Sequence, residues 1–252
     1  MSPEPQPESQ APSPASPARV EPAQRIVALL EVIICSDFPT QIALAATFYA
    51  LGFRERLADG SLSVAYIATL SLIDAALLIG LMVFFLRSHG ESVREVFLGH
   101  RAIAPEIRAG VPMAFVTLAI ALGAILTIHQ FAPYLRTEES NPLQDLLTSP
   151  AGAAIMAVVL VVAGGVREEV QRAFLLHRFE RSLGGPTLGV VVTSVTFGIG
   201  HLLQGADVAL VTALLGAFWA IVYLRRRSIV APIVSHAGFN LLQLGQFLMV
   251  AS

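Results

Sequence analysis

Long apolar runs separated by short polar breaks fill this chain from residue 26 onwards. A helix that crosses a lipid bilayer needs about 20 consecutive, mostly apolar residues. We count about seven runs of this kind. The pattern therefore predicts an all-α fold, a polytopic membrane bundle of about seven transmembrane helices. The runs lie near residues 26–50, 61–86, 109–131, 150–177, 186–204, 208–224 and 229–250.

The composition also indicates that the chain lies in a lipid bilayer. Of the 252 residues, 55% are hydrophobic and only 13% are charged, whereas soluble domains average about 25% charged residues. The formal charge of -2 leaves no excess of basic residues for binding nucleic acid. The single cysteine, Cys35, excludes both an intramolecular disulfide and a Cys-rich metal site. We therefore expect the lipid bilayer as a partner and no nucleic acid.

The segment before the first apolar run and the interior of that run each have an unusual composition. Residues 1–24 are rich in Pro, Ser, Gln and Glu, which predicts a disordered tail. Within the run, Glu31, Asp37 and Pro39 interrupt the apolar pattern. The first span is therefore expected to be a broken helix, a re-entrant helix or a gate.

The arginines predict the orientation of the chain. With seven spans, nearly all Arg clusters fall on one side of the membrane, and only Arg54 and Arg56 fall on the other. Positively charged loops favour the cytoplasm. The N-terminus is therefore predicted to be cytoplasmic and the C-terminus to lie outside. The clusters on the common side are Arg19 and Arg25; Arg87, Arg94, Arg101 and Arg108; Arg178 and Arg181; and Arg225, Arg226 and Arg227.

The fourth span contains charged residues, which are costly in a bilayer. Insertion scales put a charge at the helix centre at about 2.5–3.5 kcal/mol. Glu168 and Arg172 are four residues apart, on one face, and are expected to pair. Glu169 lies about 100° round the helix and needs a different partner. The alternative is that the span ends at Val166 and these charges are interfacial, although apolar residues continue beyond them.

Two later spans carry histidines at comparable depths. A rise of about 1.5 Å per residue puts Glu168 and His236 roughly 15 Å from the cytoplasmic ends of their spans and His201 somewhat deeper. Asn240 follows His236 by four residues and is expected on the same face. A lone histidine in an apolar helix is commonly structural, but two beside a Glu-bearing span indicate a shared site.

The chemistry that these residues permit is hydrolysis. A partly buried carboxylate is suited to take a proton from water. Two neutral imidazoles are suited to hold that water, either directly or through a divalent metal. Asn240 and Arg172 are suited to polarise a carbonyl group or to stabilise an oxyanion. The chain contains neither the H-E-x-x-H motif of zincins nor the G-x-S-x-G elbow of serine hydrolases.

Together, these segments resemble the CPBP family of intramembrane endopeptidases, the CAAX-protease and bacteriocin-processing (Abi-like) group. The family pattern is a Glu pair followed by Arg, then F-x-x-x-H, then H-x-x-x-N. The matching segments are Glu168-Glu169-Val170-Gln171-Arg172, Phe197 to His201 and His236 to Asn240. The family has three residues between the Glu pair and the Arg, whereas this chain has two. Anchoring on the Glu pair makes Glu168 the catalytic Glu, and anchoring on Arg172 puts Arg167 in that place.

The resemblance implies an enzyme, an intramembrane metallo-endopeptidase acting on a membrane-embedded or lipid-modified substrate. Glu168, with Glu169 as second choice, would activate water. His201 and His236 would hold the water or, with Glu168, a divalent metal such as zinc, while Arg172 and Asn240 would support the oxyanion. The chain would then divide into the tail at 1–24, N-terminal transmembrane helices at 25–149 and a catalytic transmembrane core at 150–252. The composition favours a prokaryotic plasma membrane.

Two other functions fit the same residues. One is a catalytically inactive scaffold or immunity protein that binds a partner through the polar cavity. The other is a small proton-coupled transporter that uses the carboxylates and histidines as a relay, although no inverted repeats are visible. Replacing Glu168 by Gln separates the first from a protease, since a binder tolerates the loss of a general base.

Overall fold

The computed structural model describes residues 21–138 and 142–251. Within these ranges the regular structure is helical, apart from an isolated bridge between Arg56 and Leu62. The predicted all-α fold is confirmed. Most of the predicted tail, residues 1–20, lies outside the described ranges, and the first helix begins at Pro22.

The helices follow one another with short connections. A π-helical segment, Leu160–Arg167, joins α6 to α7 and makes them one continuous rod over Pro150–Ser182. In chain order the helices are α1 (Pro22–Ile34), α2 (Phe38–Ala50), α3 (Val64–Ser88), α4 (Val93–Phe97), α5 (Ile103–Phe131), α6 (Pro150–Val159), α7 (Glu168–Ser182), α8 (Pro186–Ile199), α9 (Ala206–Arg226) and α10 (Val230–Ala251).

Five helices in the described ranges are long and apolar enough to cross a membrane: α3, α5, the rod formed by α6 and α7, α9 and α10. The pair α1 and α2 gives a sixth candidate if the two count as one bent span. The fifth predicted run, 186–204, instead forms the 14-residue helix α8, about 21 Å long against a hydrocarbon core of about 30 Å. The polytopic bundle is therefore confirmed with five to six spans in place of about seven.

The first span is broken, as its polar residues predict. α1 and α2 meet at an angle of 44°. Asp37, just before α2, has a φ of 83°, which is strained for a residue other than glycine. Pro39 lies in the first turn of α2, where a missing N–H costs nothing. The side chain of Gln171 donates to the carbonyl oxygen of Cys35 at 2.7 Å, so the break is fastened to α7.

Small residues bring α10 close to the rod. A Cβ atom on Gly165 would lie 2.8 Å from the Cβ of Ala237, and one on Gly164 would lie 2.8 Å from the amide nitrogen of Asn240. Because glycine has no Cβ atom, the two helix backbones can approach closely in a membrane. As a result, His236 on α10 faces the first turn of α7.

An ion-pair cluster joins α1 and the loop after α3 to the far end of α7. Glu31 contacts His89 at 2.6 Å and Arg178 at 2.5 Å. Glu91 contacts Arg178 at 2.5 Å and His177 at 3.2 Å. Burial of the Glu91 carboxyl favours its neutral form, but hydrogen bonds and charge from His177 and Arg178 outweigh burial and lower its pKa to about 2. The cluster holds these elements together around the ionised Glu91 carboxylate.

Candidate active site

The charged residues of the fourth span lie in the first turn of α7, inside the continuous rod. Glu169 is fully buried and accepts a hydrogen bond from the guanidinium of Arg172, which is also buried. The predicted pairing was wrong in this respect, because Arg172 pairs with Glu169 three residues before it and not with Glu168. The reason is the rotation of the helix: Glu169 faces α10 and the buried interior, where Arg172 also lies.

His236 is the second partner of Glu169. Its Nδ1 atom lies 2.8 Å from Oε1 of Glu169, and a carboxylate only accepts, so Nδ1 carries the proton. Its Nε2 atom lies 3.7 Å from Oε2 of Glu168. The ring stacks on Trp219, with centroids 3.7 Å apart and planes at 16°. His236 is therefore fixed in a tautomer that presents an Nε2 lone pair on the side of Glu168.

His201 is held in the same tautomer by different means. Its Nδ1 atom lies 2.8 Å from the backbone carbonyl oxygen of Phe197, which can only accept, so Nε2 again keeps its lone pair. The ring also contacts the Phe197 side chain edge-on at 4.9 Å. This geometry follows from the F-x-x-x-H spacing, which puts the histidine one turn after the phenylalanine.

A polar cavity of about 250 Å³ lies between the break in the first span, α7 and α8. Glu168, Arg172 and His201 belong to its walls. The volume is enough for several waters, since each occupies about 30 Å³ in the liquid. The other lining residues are Ser36, Asp37, Phe38, Gln41, Arg167, Gln171, Leu175, Thr193, Thr196, Phe197 and Gly200.

Asn240 has a different neighbourhood. Its amide nitrogen donates to the backbone carbonyl of Leu160 at 3.2 Å, at the start of the π-helical segment. It is not among the residues that line the cavity. The structure thus brings Glu168, Glu169, Arg172, His201 and His236 together, and it places Asn240 as a clamp between α10 and the rod.

The predicted metal ligands are not gathered around one point. Among the residues that the structure describes, no group of three or more His, Cys, Asp or Glu side chains is placed to hold a metal ion. Glu168 and His236 approach each other, and His201 lines the same cavity as Glu168. The zinc set of His201, His236 and Glu168 does not fit the arrangement as it stands and stays a prediction.

Sequence reasoning missed an ion pair in the cavity wall. Nη1 of Arg167 lies 3.0 Å from Oδ2 of Asp37 and 3.2 Å from Oε1 of Gln171. Its Nη2 lies 3.7 Å from Oε1 of Glu168. The signals were the apolar run broken at Asp37 and the extra charge before the Glu pair. Neither signal says that residues 130 positions apart meet.

Comparison with known families agrees with the motifs. Residues 150–242 match the family model of type II CAAX prenyl endopeptidase, Rce1-like. The predicted resemblance is confirmed. The matched segment contains all six predicted site residues and begins at the first residue of α6, so it comprises the rod, α8, α9 and most of α10. No curated protein and no solved structure gives a significant match to the chain.

Proposed function

We propose that this protein is an intramembrane endopeptidase that hydrolyses a peptide bond of a membrane-embedded or lipid-modified substrate. One observation carries the proposal. Of the Glu pair, Glu169 is buried and fully occupied by Arg172 and His236, whereas Glu168 faces a polar cavity with an imidazole lone pair 3.7 Å away. A carboxylate in this position suits a general base. The match to a CAAX-protease domain supports the same reaction class.

In the proposed reaction, Glu168 takes a proton from a cavity water. The water is oriented by the Nε2 lone pairs of His236 and His201, and its oxygen attacks the carbonyl carbon of the substrate. The protonated Glu168 then gives its proton to the amide nitrogen as the C–N bond breaks, which releases the amine and leaves the other product as a carboxylic acid. A positioned base of this kind accounts for about 10²–10⁴ in rate.

The other polar groups support this step. Glu169 fixes the tautomer and the ring orientation of His236, as carboxylates behind catalytic histidines do. Arg172 gives one N–H to Glu169, and its guanidinium lines the cavity, so further N–H groups are available for the oxyanion. Asn240 gives one N–H to the Leu160 carbonyl and does not line the cavity, so it takes no part in this scheme. No step in this scheme requires a metal ion.

The family match and the arginine pattern support a proposal for the substrate class and the location. We propose a CAAX-type or bacteriocin-type peptide presented at the membrane. With residues 186–204 counted as a span, the arginine clusters favour a cytoplasmic N-terminus, and the composition favours a prokaryotic inner membrane. The polar cavity bounded by α7, α8 and the broken span would receive the scissile peptide bond beside Glu168.

The test uses the full chain in proteoliposomes and an internally quenched peptide with a farnesylated cysteine before a C-terminal tripeptide. We expect cleavage by the wild type and a loss of at least about 100-fold in Glu168→Gln. Glu95→Gln, a change at an exposed carboxylate on α4, is the matched control and should keep the wild-type rate. Cleavage that persists in Glu168→Gln would contradict the proposal. If the wild type binds the peptide without cleaving it, and Glu168→Gln binds it too, the scaffold function is favoured.

A further inference from the structure

Arg167 lies between two carboxylates in the wall of the cavity. Its guanidinium is 3.0 Å from Asp37 and 3.7 Å from Glu168. The residue is only 7% exposed, so solvent screens its charge weakly. The Arg167 guanidinium therefore interacts strongly with whichever carboxylate it approaches.

The choice between the two carboxylates matters for the reaction proposed above. An opposite charge in close contact stabilises the ionised form of a carboxylate and makes it a weaker base. If Arg167 paired closely with Glu168, the base would be occupied. The observed geometry avoids this outcome, because the short contact is the one to Asp37.

Asp37 is held in position by the break in the first span. Its backbone has a φ of 83°, and a strained conformation persists only where the surrounding structure imposes it. Gln41, one turn further along α2, donates to Oδ2 of Asp37 at 2.8 Å. Gln171 fastens the break to α7 through Cys35 and also accepts from Arg167 at 3.2 Å. The break therefore presents the Asp37 carboxylate to Arg167 at a fixed place.

We propose that Asp37 is a positioning residue that holds Arg167 away from Glu168 and so keeps Glu168 free to act as a base. The proposal rests on the proposed function. It assigns a role to the N-terminal part of the chain, outside the matched domain: the broken first span supplies the counter-charge without which Arg167 would disable the site. It also explains how an arginine next to the Glu pair is compatible with activity.

A third carboxylate makes the proposal specific. Asp74 on α3 is buried beside the side chains of Asp37 and Thr40, and the charge of Arg167 also acts on it. Without Asp37, Arg167 has two possible new partners, Asp74 and Glu168. The proposal requires that it moves to Glu168.

A double-mutant cycle in the peptide assay tests the proposal. Asp37→Asn removes the charge and keeps the size of the side chain. We expect kcat to fall about tenfold or more with KM little changed. The double variant Asp37→Asn/Arg167→Gln should return to the rate of Arg167→Gln alone. A double variant as slow as Asp37→Asn would overturn the proposal, since a merely structural role of Asp37 predicts no rescue.

A second measurement does not depend on catalysis. In an experimental structure of the Asp37→Asn variant, we expect the Arg167 guanidinium within hydrogen-bond distance of Glu168. A guanidinium on Asp74, or one that has not moved, would overturn the proposal. Should the wild type cleave no peptide while Arg167 moves as expected, the proposed function fails and the charge arrangement stands. If the wild type cleaves the peptide but Arg167→Gln does not rescue Asp37→Asn, the proposed function stands and the proposed role of Asp37 fails.

Discussion

The imidazole of His236 and the carboxylate of Glu169 form a hydrogen bond in the interior of the bundle, with Nδ1 and Oε1 2.8 Å apart. Arg172 completes the group from the next turn of α7. The two glutamates of the pair therefore have different roles. Glu169 neutralises a buried guanidinium and orients a histidine, and Glu168 is left for the cavity.

This division predicts different effects of two similar variants on stability. In Glu169→Gln the guanidinium of Arg172 stays buried without a carboxylate, which costs about 3–5 kcal/mol. In Glu168→Gln no short contact is lost, and we expect a change within about 0.5 kcal/mol. Thermal unfolding of both variants in detergent measures the difference. The prediction fails if the two unfolding temperatures agree, and Glu169→Gln/Arg172→Met should recover part of the loss.

The two histidines are expected to be equally important for cleavage and unequally important for stability. His201→Ala and His236→Ala should each lower kcat/KM by at least about 100-fold, because each removes a group that orients the water. His236→Ala also removes the stack on Trp219, worth about 0.5–1.5 kcal/mol beyond the buried area. Unfolding temperatures and initial rates, measured on the same preparations, test both parts. Equal stabilities for the two variants would argue against the buried stack.

Removal of divalent metal is expected to leave cleavage intact. The described residues do not gather three ligands, and the proposed step uses a water held by imidazoles. The measurement is the cleavage rate after dialysis against a chelator, together with the metal content of the protein. About one zinc ion per chain, lost in both His201→Ala and His236→Ala, with activity restored by added zinc, would instead establish the metal site predicted from the resemblance.

The close approach of α10 to the rod predicts opposite effects of one substitution at two glycines. In Gly165→Ala the new methyl group would lie 2.8 Å from Ala237, and overpacking of this kind costs about 1–3 kcal/mol. It would also push His236 away from α7, so the cleavage rate should fall. Gly123→Ala on α5 meets no atom within 4 Å and should be neutral or stabilising. Similar unfolding temperatures for the two variants would refute this account of the helix contact.

The cluster around Glu91 predicts a dependence of stability on pH. The pKa of Glu91 is lowered from 4.5 to about 2, so its ion pairs stabilise the fold fully above the unfolded-state pKa. This contribution is lost as the pH falls from about 4.5 towards 2. Glu91→Gln lacks the contribution at every pH. The difference in unfolding temperature between wild type and variant should therefore shrink over that interval, and a constant difference would contradict the assignment.

The sequence predicted the features that depend on local pattern. Apolar run lengths gave most of the helices, and the charges at Glu31 and Asp37 with Pro39 gave the broken span. The depth of each polar residue along its helix brought Glu168, His201 and His236 into one region. These features follow from the cost of placing charge or an unpaired backbone in lipid.

The features that depend on rotation and contact between distant segments were not predictable. A π-helical turn contains an extra residue and shifts every later side chain around the axis. The segment Leu160–Arg167 precedes the Glu pair, so the hydropathy pattern did not say which of the two carboxylates would hydrogen-bond to His236. The same holds for the pair formed by Asp37 and Arg167, since hydropathy says where a span breaks and not which helix the break touches.

Trp219 is the only tryptophan in the chain, and it lies face to face with His236. Ultraviolet emission from tryptophan in this protein therefore originates at one ring, which rests against a residue of the proposed site. A peptide, an inhibitor or a change in the Glu169–His236 bond would alter the surroundings of that ring. The protein thus contains its own optical probe, and occupancy of the cavity can be titrated without a label and without turnover.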